Sequence, residues 1–349
     1  MLVSVVLIIG VTAAFLILFI AWCRSKNAKK RNIKQECFIN GYNINESGKF
    51  SHEPNLARLK YLRTGEFKKY NILGKGAFGS VYKGVWQPNN VKYYLEIAIK
   101  ELNSDLEKAD ELIDEAQIMA SVNHPHCLRL IALCMAKPIM IITPLIKFGS
   151  VLNFFNTYKK SVNEKMLLTW CAQIADGMNY LESREIVHRD LAARNVLVQG
   201  TYFVKITDFG LSKVLDDGSS EFYGETGSLM PIKWLAPECI SQRLYTHKSD
   251  VWSYGVTCWE LFTFGAKPFE EVPVKDIYLH VKSGMRLAQP STTTLNVYMN
   301  LIKCWINEPD SRPSFNQLQK EFEKMSKDST RYLRIQVEYR IYFFFKEFF

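Results

Sequence analysis

The most apolar part of the chain is residues 1–23, which contain no charged side chain. At a rise of 1.5 Å per residue, about twenty helical residues cross the ~30 Å hydrocarbon layer of a bilayer. A secretory signal peptide is the alternative, but no basic residue precedes the apolar run, which is also longer than a signal peptide needs. The pattern therefore predicts a single transmembrane helix over residues 1–23.

A basic and polar segment follows this apolar run. Residues 24–34 carry six positive charges and no acidic side chain. The positive-inside rule then places the downstream chain in the cytoplasm, and the same charges suit anionic lipid. A juxtamembrane segment and linker are predicted over residues 24–66. Near its end, Leu56, Leu59 and Leu62 recur at helical spacing, which predicts a short helix docked on its own domain or in a dimer contact.

Shorter hydrophobic periods predict a β-rich region next. Apolar and polar residues alternate at 81–86 and 94–100, and a short apolar run occurs at 139–143. Each of these patterns is typical of a strand. Between the second and the third, a helix is predicted to begin at Ser104, which forms a capping box with Glu107.

Helical periods dominate the second half of the chain. A stripe of apolar residues predicts a long helix over 167–181, and residues 250–261 are apolar on nearly all sides, as a central helix is. A β-hairpin is predicted over 196–206. Arg312 and Glu238 are candidates for a structural ion pair. This distribution of elements predicts an α+β protein.

Composition and charge exclude several classes of protein. With 349 residues, 48% of them apolar and 23% charged, the chain can bury a sizeable core. The net charge is +9, but six of these charges belong to residues 24–34 and only +3 remains elsewhere. We therefore expect no nucleic-acid partner. The eight cysteines contain no C-x-x-C pair, and most lie in apolar stretches, which predicts reduced core thiols.

A glycine-rich turn precedes the first alternating strand. Gly74, Gly76 and Gly79 form a G-x-G-x-x-G pattern, which also occurs in dinucleotide-binding proteins. In those proteins the pattern opens a helix, whereas here a strand follows at 81–86. Glycines allow the backbone of a hairpin to approach phosphates. Lys100 ends the next strand and is expected to bind the α- and β-phosphates of a nucleotide.

An acidic partner for this lysine is expected on the helix that follows. We choose Glu115 because it precedes the apolar Ala116 and lies four residues before Met119, so it borders the inward face. Glu111 and Asp114 are the alternatives.

Residues 186–197 contain the pattern H-R-D-L-x-x-x-N, and D-F-G begins thirteen residues after its asparagine. These segments resemble the catalytic loop and the metal-binding turn of protein kinases. Asp190 would accept the proton of the attacking hydroxyl group. Asn195 and Asp208 would hold magnesium, which prefers hard oxygen ligands.

Two further segments complete the candidate site. Residues 143–149 follow an apolar strand and are a plausible hinge for an adenine. Between Asp208 and Ala236 lie 27 residues, a length that suggests a regulatory loop. Within this loop Tyr223 is a candidate for phosphorylation, with Arg189 as the partner of the phosphate. An unmodified surface tyrosine is the alternative.

Residues of about 54–337 resemble the cytoplasmic part of the epidermal growth factor receptor family of receptor tyrosine kinases. The segments that carry the resemblance are 66–69, 76–79, 114–116, 188–197, 231–234, 249–256 and 331–333. The resemblance implies a bilobal protein kinase fold, with a small β-rich N-lobe that has one regulatory helix and a larger α-helical C-lobe. Its implied boundaries are a kinase domain at 67–336, an N-lobe at 67–142, a hinge at 143–149, a C-lobe at 150–336 and an atypical aromatic tail at 337–349.

The resemblance also implies roles for individual residues. Asp190 is the catalytic base, and Lys100, Glu115, Arg194 and Asn195 complete the catalytic set. The implied ATP-binding residues are Leu73, Gly74, Lys75, Gly76, Ala77, Phe78, Gly79, Ser80, Val81, Ala98, Lys100, Thr143, Ile146, Leu197 and Asp208. Asn195 and Asp208 are the implied ligands of Mg²⁺, and Thr143 guards the back of the adenine pocket.

The expected function is transfer of the γ-phosphoryl group of Mg-ATP to protein tyrosines by a single-pass transmembrane kinase, activated by dimerisation with itself or related receptor kinases. Ala192 to Arg194 and Pro231 to Trp234 look like the tyrosine-specific forms of their motifs. A serine/threonine kinase would more often have lysine at position 192. A nucleotide-binding scaffold without transfer is the other alternative, but the four residues whose loss would mark it are present.

Three departures from the family limit what the resemblance carries over. No ectodomain precedes the apolar run, and the tyrosine-bearing tail of the family is missing. Ligand binding is therefore not expected of this segment. Ser150 stands where many relatives have cysteine, so the thiol that covalent inhibitors use is replaced by a hydroxyl group.

Overall fold

The computed structural model describes residues 59–76, 79–88, 93–101, 109–215, 219–224 and 230–335. The predicted transmembrane span at 1–23, the basic run at 24–34 and the tail at 337–349 lie outside these ranges. So do the helix start at Ser104 and Glu107. Among the described residues, no helix combines the length and the apolar character that a membrane span requires.

In its described residues, the N-lobe is a five-stranded antiparallel sheet with one helix. Its strand order is β1-β2-β3-β5-β4. The strands are β1 (Phe67–Gly76), β2 (Gly79–Trp86), β3 (Leu95–Glu101), β4 (Ala132–Cys134) and β5 (Met140–Pro144), and the helix is α1 (Ala109–Ser121). Alternation along β3 buries Leu95, Ile97 and Ile99 and turns Ala98 and Lys100 to the other face. That other face contributes to the candidate site.

The C-lobe is mainly helical. Its helices are α2 (Val151–Tyr158), α3 (Glu164–Ser183), α4 (Pro237–Gln242), α5 (His247–Phe262), α6 (Ile277–Lys282), α7 (Leu295–Cys304), α8 (Phe315–Lys327) and α9 (Ser329–Tyr332). Three pairs of short strands accompany them: β6 (Ile186–Val187) with β9 (Lys213–Val214), β7 (Val196–Gly200) with β8 (Phe203–Ile206), and β10 (Phe222–Tyr223) with β11 (Leu244–Tyr245). The predicted α+β, bilobal architecture is confirmed.

Polar side chains set the starts of the long C-lobe helices. The Asn163 side chain accepts a hydrogen bond from the Met166 amide at the start of α3. Thr246 and Ser314 form capping boxes at the starts of α5 and α8. The two central helices meet in the core, where the hydroxyl of Tyr254 donates to the carbonyl of Cys171 at 2.9 Å. These contacts fix α3 and α5, the two helices next to the predicted catalytic loop at residues 186–197.

Two predictions about packing are confirmed. Arg312 is buried, and its Nη1 lies 2.6 Å from Oε1 of Glu238. The cysteines at 127, 134, 171, 239, 258 and 304 are free and buried, as predicted for core thiols. Cys23 and Cys37 lie outside the described ranges.

The helix predicted from the leucine spacing at 56–62 is wrong for its described part. Residues 60–62 are extended beside β4: the Leu62 amide donates to the Leu133 carbonyl at 3.0 Å, and the Leu133 amide donates to Lys60 at 2.8 Å. Tyr61 and Leu133 form a parallel bridge. Pairing with an open sheet edge outweighs the local spacing here, because it satisfies backbone groups and still buries Leu62.

Candidate active site

A buried charge cluster joins the N-lobe sheet to helix α1. The Nζ atom of Lys100 lies 2.8 Å from both carboxylate oxygens of Glu115 and 3.0 Å from Oδ1 of Asp208. The structure therefore brings Lys100 to the predicted Glu115. The alternative Asp114 instead lies 3.7 Å from Lys213, and the side chain of Glu111 is outside the described set.

Burial and mutual attraction act in opposite directions in this cluster. Burial would lower the pKa of Lys100, but the carboxylates of Glu115 and Asp208 outweigh it and raise that pKa above its ordinary value. Burial would likewise raise the pKa of Asp208, but the Lys100 ammonium lowers it below its ordinary value. Lys100 is therefore a cation and Asp208 a carboxylate at neutral pH. Both charges are those needed to bind phosphates and a metal ion.

Helix α5 holds the backbone of the predicted catalytic loop at residues 188–189. The buried carboxylate of Asp250 accepts hydrogen bonds from the His188 amide at 2.7 Å and the Arg189 amide at 2.9 Å. Arg189 has a φ of +69°, in the left-handed region that side chains other than glycine rarely adopt. Such strain persists only where the surroundings hold it, and Asp250 supplies that constraint. This role of Asp250 is not among the predictions from the sequence, although an acidic residue inside a mainly apolar helix is a signal for it.

The carboxylate of Asp190 is held from both sides. Its Oδ2 accepts a hydrogen bond from Nδ2 of Asn195 at 2.7 Å, and its Oδ1 forms an ion pair with Arg194. Burial raises the pKa of Asp190, while Arg194 and the Asn195 hydrogen bond oppose that rise. Because the amide nitrogen of Asn195 faces Asp190, its carbonyl oxygen is the end that can bind a cation.

The turn of residues 208–210 connects the two parts of the site. Asp208 has a φ of +65°, and the Phe209 ring is buried with its centroid 5.4 Å from that of His188. A Cβ atom at Gly210 would lie 3.3 Å from Oε2 of Glu115 and 3.5 Å from Oδ1 of Asp208. A larger residue would therefore press on both carboxylates of the cluster. The Thr207 amide donates to the backbone carbonyl of Asn195 at 2.9 Å, which connects this turn to the predicted catalytic loop.

The glycine-rich turn is a tight hairpin. Gly76 pairs with Gly79, so only Ala77 and Phe78 lie between the paired positions, and these two residues are outside the described set. Gly79 has a φ of +148°. Among the residues that the structure describes, a Cβ atom at Gly74 would have no neighbour within 4 Å. A backbone without side chains at these points can approach a phosphate closely.

The remaining predicted pocket residues lie on five strands, except Ile146, which follows β5. Ala98 of β3 pairs with Thr143 of β5, and Val81 of β2 pairs with Lys100. Leu197 of β7 forms a bridge with Ser150, and the Val198 amide donates to the Gly149 carbonyl at 2.8 Å. The positions predicted for the hinge and the pocket floor are thus joined by backbone hydrogen bonds. Leu73, Lys75 and Ser80 lie on the hairpin, and Ile146 is buried after β5.

The residues present fit a metal ion that arrives with a nucleotide. Among the described residues, no group of three or more His, Cys, Asp or Glu side chains could hold a metal ion alone. Asp208 and Asn195 offer one carboxylate and one carboxamide oxygen. Such a sparse set of hard donors suits a cation that takes its other ligands from phosphates and water.

The regulatory candidate Tyr223 does not contact Arg189. Its side chain is 61% exposed, and the ring that lies over the Arg189 guanidinium is that of its neighbour Phe222, at 4.7 Å. Tyr245 stacks on the same guanidinium at 4.3 Å. Nε of Arg189 is buried and has no hydrogen-bond partner among the residues that the structure describes.

A five-stranded lobe and a helical lobe that together hold a lysine, a candidate base and a candidate metal-binding carboxylate are the features of a protein kinase. Residues 67–322 match the family described as protein tyrosine and serine/threonine kinase, and the chain belongs to this family.

Similar curated proteins narrow the relationship. The epidermal growth factor receptor of Apis mellifera is 48% identical over 329 residues, which cover 93% of this chain and 25% of that protein. The receptor tyrosine-protein kinase erbB-4 of Homo sapiens is 44% identical over 339 residues, 97% of this chain and 25% of that protein. The melanoma receptor tyrosine-protein kinase of Xiphophorus maculatus is 49% identical over 285 residues, 81% and 24% respectively. The predicted resemblance is confirmed, and the chain spans about a quarter of the length of these relatives.

Proposed function

We propose that this chain is the kinase segment of a receptor tyrosine kinase and transfers the γ-phosphoryl group of ATP to tyrosine hydroxyls of proteins. The observation that carries the proposal is the arrangement of Asp190, held by Asn195 and Arg194, beside the cluster of Lys100 and Asp208. The names of the similar receptors support the same activity.

In the proposed reaction the Asp190 carboxylate accepts the proton of the substrate hydroxyl. The hydroxyl oxygen forms a bond to the γ-phosphorus while the bond to the bridging oxygen breaks, and ADP leaves. Lys100 binds the α- and β-phosphates, and its ion pair with Glu115 fixes where its charge lies. Positioning and charge account for most of the acceleration in such a transfer, because the protein forms no covalent bond.

Magnesium is the divalent cation that we propose for the site. Asp208 and the carbonyl oxygen of Asn195 would hold it, and bound there it would neutralise charge on the phosphates. The hydrogen bond from Asn195 to Asp190 orients the amide for this role.

Tyrosine is the proposed acceptor because of the residues around the base. Ala192 is buried and small, and the guanidinium of Arg194 lies 4.5 Å from the ring centroid of Trp234, in the segment Pro231–Trp234. This combination follows the tyrosine-specific pattern seen in the sequence. We expect a deep entry for a long side chain rather than a short approach for serine.

Association of two kinase segments at the membrane is the proposed mode of activation. The C-lobe exposes apolar side chains on α6 and α7: Leu279 is 68% exposed, Leu295 62% and Met299 44%. Leu295 and Met299 are four residues apart and share one face of α7. The apolar span at 1–23 and the basic run at 24–34 would anchor the chain at the plasma membrane and on anionic lipid.

Phosphorylation of Tyr223 is proposed as an additional control. Its exposure makes it accessible, and the buried Nε of Arg189 offers a donor to a phosphate if β10 shifts.

The test is transfer from labelled ATP to a polymer whose only hydroxyl residue is tyrosine. Asp190→Asn should lower kcat by about 10²–10⁴-fold, because it removes the proton acceptor. Asp328→Asn, an exposed carboxylate outside the site, is the matched control and should not change the rate. Nucleotide binding without transfer by the wild type would favour a scaffold, and transfer to serine polymers alone would refute tyrosine specificity.

A further inference from the structure

Helix α5 contains a buried acid that the proposed mechanism does not use. Glu260 is 3% exposed, on a helix most of whose residues are buried. Burial raises the pKa of Glu260 to about 7, and its hydrogen bonds and the charge of Arg194 oppose that rise. A carboxyl group at such a position costs stability, so its contacts need an explanation.

Both hydrogen bonds of this carboxyl group go to segments that form the active site. Its Oε2 accepts from the Ala193 amide at 2.9 Å and from the indole Nε1 of Trp234, also at 2.9 Å. Ala193 begins the helical turn 193–195, and Ala192, which precedes that turn, has no side chain that could cap it. Glu260 supplies this cap from another element.

The second hydrogen bond, from Trp234, fixes a ring that contacts Arg194, the ion-pair partner of Asp190. The Trp234 indole is fixed at its nitrogen by Glu260, and the Trp234 carbonyl accepts a hydrogen bond from Ser253 at 2.8 Å. The guanidinium of Arg194 lies 4.5 Å from the centroid of this ring, and Arg194 in turn forms the ion pair with Asp190. One oxygen atom thus holds the backbone before Arg194 and the surface on which its side chain rests.

We infer that Glu260 is a positioning residue for phosphoryl transfer: by anchoring the Ala193 amide and the Trp234 indole together, it places Arg194 against Asp190. The inference rests on the proposed function and adds a residue that never touches substrate or nucleotide. Its role needs an oxygen acceptor at this point, which an amide also provides.

The test compares four single variants of the full chain and one double variant, Glu260→Leu with Trp234→Phe. Glu260→Leu removes the oxygen that accepts both hydrogen bonds, Glu260→Gln keeps an oxygen that can accept both, and Trp234→Phe replaces the indole with a phenyl ring that lacks the N–H donor. Thr257→Val is the matched control, because Thr257 is a buried residue of the same helix whose hydroxyl bonds only to the Ser253 carbonyl.

We expect Glu260→Leu to lower kcat by about 10–100-fold, because misplacing a catalytic group by about 1 Å has effects of that size. The KM for ATP should stay within about twofold, since Lys100 and Asp208 bind the nucleotide independently. Glu260→Gln should restore kcat to within about threefold of the wild type. The double variant, Glu260→Leu with Trp234→Phe, should have a kcat close to that of Glu260→Leu alone.

Amide hydrogen exchange at Ala193 is measured in the same proteins and does not require activity. Exchange should accelerate in Glu260→Leu and stay slow in Glu260→Gln and Thr257→Val. Unchanged exchange or an unchanged kcat in Glu260→Leu overturns the inference. A wild type without transfer overturns the proposed function instead, and the exchange result still decides whether Glu260 anchors the turn.

Discussion

Removing one partner of the buried pair between Arg312 and Glu238 is expected to destabilise the C-lobe by several kcal/mol. Arg312 donates two hydrogen bonds to the Glu238 carboxylate, at 2.6 and 2.9 Å. It also donates to the carbonyls of Ile306 at 2.8 Å and Lys248 at 2.9 Å. The arginine thus connects α4, the start of α5 and the loop before α8 by hydrogen bonds.

The loss of unfolding free energy expected for each single variant depends on which buried polar groups it leaves without a partner. Glu238→Ala leaves a buried guanidinium that still has backbone acceptors, so a cost of about 3 kcal/mol is expected, at the lower end for a broken buried pair. Arg312→Met leaves the carboxylate and also the carbonyls without donors, so its cost should be larger, about 5 kcal/mol. The double variant should cost about 2 kcal/mol less than the sum, because the second change removes a charge that the first left unpaired.

Urea titration of the purified chains measures these free energies of unfolding, with tryptophan fluorescence as the signal. Trp252 is a local reporter, since its ring centroid lies 5.2 Å from the Arg312 guanidinium. The exposed pair Lys267–Glu270, whose side chains are 80% and 63% exposed, is the matched control and should give a coupling below about 1 kcal/mol. A cost under about 1 kcal/mol for Glu238→Ala, or strict additivity in the double variant, would refute the reasoning.

Two other predictions concern stability. Because burial raises the pKa of Glu260 from 4.5 to about 7, the fold favours its protonated form, and that stabilisation is lost as pH rises through about 7. Relative to Glu260→Gln, the wild type should lose about 3 kcal/mol between pH 4.5 and 8 in urea titrations, and parallel pH curves would contradict this. Gly84→Ala should cost about 1–3 kcal/mol by overpacking, since its Cβ would lie 2.6 Å from the Lys68 carbonyl oxygen and 2.7 Å from the Ile99 side chain. Gly74→Ala, whose Cβ would have no described residue within 4 Å, should leave the melting temperature unchanged.

Sequence reasoning predicted best where chemistry restricts the residue type. The spacing of an aspartate, an asparagine and a D-F-G turn located the site, because few side chains can hold a metal ion or accept a proton. The period of α1 was enough to choose Glu115 over Asp114, since only one of them borders the buried face. The pair of Arg312 with Glu238, also predicted from the sequence, is present in the structure.

What the sequence could not give is the outcome of competition between distant segments. Residues 60–62 carry a helical spacing, yet they pair with β4, because an open sheet edge lies nearby only in the folded chain. The stacking of Phe222, rather than Tyr223, on Arg189 depends on the register of β10 with β11. Glu260 illustrates the same limit, because its partners lie 67 and 26 residues away in the chain.

The charges of the site explain why a nucleotide should need a divalent cation here. Lys100 and Arg194 are two cations among three carboxylates, those of Glu115, Asp190 and Asp208, so the site is net negative before any phosphate enters. The Lys100 ammonium is already shared between two of these carboxylates at 2.8 and 3.0 Å. A triphosphate would therefore meet repulsion that one lysine cannot offset in a partly buried cleft. A cation that binds Asp208 removes one of the opposing charges and frees Lys100 for the phosphates, so metal and nucleotide binding should be coupled.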